Sequence, residues 1–160
     1  MHYYFDKHID VETVNELIKT ISTEGSVKLF FSTEGGETSA MYVLLDFLNS
    51  KDNVEVVLTD FISSAGTFIL TEYTGKLSFN EKLDGFMFHM SDRESYRLRK
   101  NYVDYSVLAE QDLERNKKFV KKLKDKGYLT EKQIKNFLKG KDVFVYKRQF
   151  DKWKINNKYE

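Results

Sequence analysis

Three short segments hold the residue types of one hydrolytic reaction: Gly35-Gly36, Ser64 within Ser63-Ser64-Ala65-Gly66, and His89 within Met87-Phe88-His89. Paired glycines let the backbone turn and present an amide to a ligand. Gly36 is the better donor, because it opens the next expected helix. A serine between a strand and a helix sets its own amide, and that of Ala65, at the positive end of a helix dipole. Charge forming on an attacked carbonyl is stabilised there, and the small Ala65 and Gly66 let a substrate backbone approach. A histidine at the end of an apolar strand can accept the serine proton. Taken singly, each has an ordinary explanation: a turn, a helix N-cap, a structural hydrogen bond. Together they supply an oxyanion site, a nucleophile and a general base. An acid that orients the histidine completes such a site. Asp142, Asp92, Asp104 and Asp151 compete for that role, and spacing alone does not choose.

The elements that must position these residues read as alternating strands and helices. His2–Phe5 is a short strand. Asp10 caps a helix over Val11–Ile21, with Val11, Val14, Leu17, Ile18 and Ile21 on one face. Val27–Phe31 is a buried strand, Thr38–Leu48 a second helix, Val54–Thr59 another strand and Ala65–Tyr73 a short buried helix. Lys76–Phe79 and Gly85–His89 continue the strands. This order predicts a parallel sheet with right-handed crossovers. Arg93–Val103 has no clear period and reads as an irregular arm or flexible strand. A long amphipathic helix follows over Tyr105–Lys126, with Leu108, Leu113, Phe119, Val120 and Leu123 as its apolar stripe. Gly127 ends it. Thr130 caps a helix that turns Ile134, Phe137 and Leu138 inward, Gly140 ends that one, and Val143–Tyr146 is a last strand before a basic, aromatic tail.

Composition narrows the setting. The 160 residues suit one domain, and 41% are hydrophobic, enough for a packed core. No apolar run reaches the roughly 18–20 residues that span a bilayer. The start, Met1-His2-Tyr3-Tyr4-Phe5-Asp6, lacks the pattern of a secretory signal. Without cysteine there are no disulfides or thiolate metal sites. With only three histidines, a multi-histidine metal centre is not expected, and no cofactor is. The expectation is a cytoplasmic protein. Residues 1–90 carry 6 Lys and Arg against 14 Asp and Glu, a net of −8, whereas residues 91–160 carry 20 against 11, a net of +9. Such polarity can mark nucleic-acid or membrane surfaces. No stacking motif or nucleic-acid fold signature accompanies it, so the reading is a solvated basic helix facing an acidic surface on another subunit.

The three segments resemble the proteolytic subunit of the Clp protease family. That family has a Ser-Pro-Gly-Gly turn, a nucleophile in Ala-Ser-Met-Gly and a histidine in Met-Ile-His-Gln. Here these are Thr33-Glu34-Gly35-Gly36, Ser63-Ser64-Ala65-Gly66 and Met87-Phe88-His89-Met90. Ser64 to His89 aligns without a gap, and the likeness runs from about His2 to Phe150. Tyr105–Lys126 matches the family's handle helix, and Glu131-Lys132-Gln133-Ile134 its Glu-Gln-Ile segment. Asp142-Val143-Phe144 resembles the segment bearing the catalytic aspartate, after a one-residue insertion.

The resemblance implies an α/β fold, a ClpP/crotonase-like spiral of βαβ units with a protruding handle helix. It implies one domain over 1–160, with a head at about 1–91 and 127–155 and a handle at about 92–126. It implies a serine endopeptidase: Ser64 nucleophile, His89 general base, Asp142 orienting acid, Gly36 and Ala65 amides as oxyanion hole. Glu37, Thr38, Met90 and Ser91 would line a groove that binds peptide or unfolded protein by strand addition. The partners implied are other copies of the chain, in a ring or stacked rings, with neither nucleic acid nor membrane. Several departures accompany the likeness. Glu34 replaces the turn proline, and Asp60 replaces a glycine before the nucleophile. The pore-lining N-terminal segment is missing, and Asp92-Arg93-Glu94 replaces the arm glycines. The family's late Tyr-Gly-Leu-Ile-Asp segment has no counterpart in Phe150–Ile155. These argue against docking to a Clp-type ATPase and leave open a non-catalytic binding or assembly subunit. Crotonase-type thioester chemistry and serine–lysine chemistry are further alternatives, which the ungapped histidine disfavours.

Overall fold

The computed structural model describes residues 1–90 and 105–155, with the backbone alone described for 105–110 and 112. The expected arm Arg93–Val103, and with it Ser91, Asp92 and Asp104, lies outside the described residues. Two compact units emerge: Met1–Phe88 with the chain from Phe144 onward, and His89–Val143.

The strands are β1 (His2–Asp6), β2 (Val27–Thr33), β3 (Val54–Ser63), β4 (Lys76–Phe79), β5 (Gly85–Phe88) and β6 (Val143–Tyr146), of which β1 to β5 lie in the first unit. The sheet order is β1-β2-β3-β5-β6, with β4 also paired to β3. The β1–β2, β2–β3, β3–β4 and β3–β5 pairs are all parallel. Helices α1 (Val11–Ile21) and α2 (Thr38–Asn49) connect the first three strands. Alternation decides β2: Val27, Leu29, Phe31 and Thr33 point inward, while the residues between them are half-exposed. Asp10 caps α1 with a reciprocal capping box, its carboxylate accepting from the Thr13 amide. That bond holds the Asp10 carboxyl below the usual carboxylate range. Val14, Leu17 and Ile21 are buried as expected, but Val11 is 59% exposed, because it starts the helix at the rim of its apolar face.

β3 runs four residues beyond its expected end and changes neighbour on the way. Phe31 pairs with Leu58, but the next matched pair is Thr33 with Ile62. Two steps along β2 therefore face four along β3, which makes a bulge over Thr59-Asp60-Phe61. Before it β3 pairs with β4, and after it with β5. Asp60 adopts φ +53, the conformation glycine adopts without strain. Its carbonyl accepts from the Asp84 amide at 2.7 Å and completes the change of neighbour.

The expected helix Ala65–Tyr73 is a 3₁₀ turn over Ser64–Phe68 running into the short helix α3 (Ile69–Glu72). Phe150 and Trp153, which read as tail, belong to the core. A helical turn α6 (Lys147–Phe150), absent from the sequence expectations, buries Phe150, and Trp153 follows it. Their rings lie 5.5 and 5.0 Å from that of Phe86.

In the second unit, α4 (Tyr105–Asp125) and α5 (Glu131–Leu138) pack through Phe119 and Phe137, 6.2 Å apart. Gly127 at φ +69 ends α4. Its amide reaches the Lys124 carbonyl and that of Tyr128 reaches Leu123, the two bonds of a Schellman motif. Thr130 caps α5 as expected. Ile134 and Phe137 are buried, but Leu138 is 49% exposed and Leu113 36%. Both lie off the narrow seam between the two helices. Among the described residues, no helix is long and apolar enough to cross a membrane.

Candidate active site

Each unit carries one half of the expected constellation. In the first, β2 ends at Thr33 and the chain turns through Gly35 (φ +108) and Gly36 (φ +146). Ile9 donates to the Gly35 carbonyl and accepts from the Glu37 amide, both at 2.8 Å. A parallel bridge of this kind leaves the Gly36 amide directed away from Ile9. A side chain on Gly36 is impossible, since its Cβ would stand 2.1 Å from the Ile9 oxygen. Gly35 has no room for a side chain either: a Cβ there would lie 2.6 Å from Ser64 Cβ and 3.2 Å from its Oγ.

Ser64 leaves β3 at φ +54, a left-handed conformation rare for a non-glycine residue. Such strain accumulates at functional sites, where the surroundings over-determine it. Here the surroundings are visible. Ser63 before it is extended, and the Thr67 hydroxyl donates to the Ser64 carbonyl at 2.6 Å. The helix expected behind Ser64 begins as the 3₁₀ stretch Ser64–Phe68 and becomes α-helical only over Ile69–Glu72. Gly66 is small for a reason below it, because a Cβ there would meet Thr33 Cγ2 at 2.3 Å.

In the second unit, His89 follows the last residue of β5, and its Nδ1 lies 3.5 Å from Asp142 Oδ1. The side chains are 33% and 56% exposed. This contact is at the outer edge of hydrogen-bond range. Of the competing acids, Asp151 instead pairs with Lys147 at 3.0 Å, and Asp92 and Asp104 lie outside the described residues.

The groove residues behave unevenly. Glu37 is exposed, while Thr38 and Met90 are half-buried. The amide of Glu37 is taken by Ile9, and its carbonyl accepts from Met41 at 3.0 Å. Among the described residues, no group of three or more His, Asp or Glu could hold a metal ion.

Two residues without an assigned role in the sequence help to build the site, Thr33 and Thr67. Thr33 did carry a signal, as a hydroxyl residue continuing the inward row of β2. It is only 4% exposed, donates to the Lys7 carbonyl at 2.8 Å and accepts from the Gly35 amide at 3.0 Å.

No protein-family model matches the chain, and no curated protein sequence matches it. Its fold is similar to the solved structure of the ClpP1 N165D mutant from Listeria monocytogenes, with a TM-score of 0.69. The similarity covers 99% of this chain and 90% of that one, at 16% sequence identity. The chain therefore has a ClpP-like α/β fold, and at that identity the likeness carries the fold alone.

Proposed function

We propose that the protein is a serine peptidase that cleaves peptide bonds through an acyl-enzyme. The observation that carries this reading is the left-handed Ser64, set between a strand and a 3₁₀ turn, with no room for a Cβ on Gly35 beside its side chain. In this reading the Ser64 hydroxyl attacks the substrate carbonyl and its proton passes to His89 Nε2. Asp142 faces Nδ1 and stabilises the charged ring. The amides of Gly36 and Ala65 receive the oxyanion. His89 returns the proton to the leaving amine, and water then releases the acyl group by the same steps. Peptide or unfolded protein is the substrate class, and several copies of one chain assemble in the cytoplasm.

Labelling with a fluorophosphonate, followed by peptide mass spectrometry, tests the reading. Modification of Ser64 in wild-type protein, lost in Ser64→Ala, is the expected result. An unmodified Ser64 in folded, assembled protein removes the proposal. The exposed, long His89–Asp142 contact favours a second reading, a ClpP-like subunit that binds or assembles without catalysis. That reading predicts unlabelled Ser64 together with intact self-association.

A further inference from the structure

One buried side chain grips both turns of the candidate oxyanion site. Thr33 Oγ1 accepts from the Gly35 amide and donates to the Lys7 carbonyl. The same threonine's methyl group, Cγ2, fills the space under Gly66, 2.3 Å from where a Cβ would stand. Gly35 is followed by Gly36, and Gly66 is preceded by Ala65. The hydroxyl thus locates one expected donor and the methyl group locates the other.

We propose that Thr33 is a positioning residue that sets the separation of the Gly36 and Ala65 amides; the proposal rests on the peptidase reading of Ser64. Two donors stabilise an oxyanion only if both reach the same oxygen. A displacement of about 1 Å in such a site lowers the rate by roughly a hundredfold. Removing the hydroxyl also leaves the buried Gly35 amide without its acceptor.

The test is the saturation kinetics of Ser64 phosphonylation in the full chain, which separates the limiting rate from the binding constant. Thr33→Val keeps the shape and loses the hydroxyl, and its limiting rate is expected to fall about 10- to 100-fold at unchanged probe affinity. Thr33→Ser keeps the hydroxyl bond to Gly35 and loses the methyl under Gly66, so its limiting rate is expected to fall less than that of Thr33→Val. A second pair of variants decides the matter if Thr33→Val does not fold. Gly66→Ala pushes on Thr33 Cγ2 and slows labelling. Combined with Thr33→Ser, which removes that methyl, it recovers most of the rate, because the two changes are coupled through one contact.

A wild type that labels at the same rate as Thr33→Val overturns the proposal while the peptidase reading stands. So does a Gly66→Ala defect that Thr33→Ser fails to relieve. A wild type that does not label at all removes the peptidase reading, and this inference with it.

Discussion

A Cβ added to Gly35 would lie 2.6 Å from the Cβ of Ser64, closer than two such atoms approach in folded proteins. The glycine turn and the nucleophile turn are thus packed face to face, and each constrains the other. Gly35→Ala is expected to lower stability by about 1–3 kcal/mol, since alanine is strained at φ +108 and also collides with the serine. Urea denaturation measures the loss, and an unchanged midpoint would show that the two turns can separate freely.

Asp60 gives the opposite prediction. It holds φ +53 at the bulge where β3 changes neighbour, and glycine occupies that conformation without the Cβ penalty. Asp60→Gly is expected to raise stability by roughly 0.5–1 kcal/mol, less than the full left-handed penalty because glycine loses more chain entropy on folding. The Thr59 hydroxyl bond to the Asp60 carboxylate, 3.0 Å, is given up. A lower urea midpoint for the variant would mean that this bond outweighs the backbone strain.

Asp142 separates chemistry from stability. Its side chain is 56% exposed, so its replacement should scarcely move the thermal midpoint. If it orients His89 through Nδ1, Asp142→Asn favours the wrong tautomer and slows Ser64 acylation by as much as about 10⁴-fold. Phosphonylation rates read this directly, and a rate equal to wild type would assign the acid to another residue.

Tyr73 gives a pH prediction. Its hydroxyl donates to the Val54 carbonyl at 2.8 Å, and burial pushes its pKa up to about 12. The unfolded chain releases the same proton near the ordinary tyrosine value of about 10. The native state therefore binds more protons above that point, and stability falls as pH rises from about 10 towards 12. The limiting slope is about 1.4 kcal/mol per pH unit. Below pH 10 the contribution is fully present. Tyr73→Phe should flatten this alkaline limb in urea titrations, and a limb of unchanged slope would place its origin in another group.

Much of the architecture was written in local pattern. The apolar run Val27–Phe31 predicts a buried strand, and the strand forms, extended to Thr33 and buried on alternate residues. Asp10 and Thr130 precede apolar periods and cap the helices they were expected to cap. The end of β3 was not legible. Apolar alternation weakens after Leu58, and nothing local announces that the strand resumes beside β5. Trp153 and Phe150 read as tail because their partners, Phe79 and Phe86, lie far away in the chain. Val11, Leu113 and Leu138 fit helical stripes, yet a helix buries only what a neighbour covers.

The residues by themselves determined the kinds of group available: a serine and a histidine at strand ends, glycines at a turn, acids in reserve, no thiol. These follow from identity and short-range spacing, which set side-chain chemistry and secondary structure. Only the tertiary structure decided that Ser64 is left-handed, that Gly35 and Gly66 are small because Ser64 and Thr33 press on them, and that His89 faces Asp142. Those facts arise from contacts between distant segments, whose geometry is set by how the strands pair and how the turns pack.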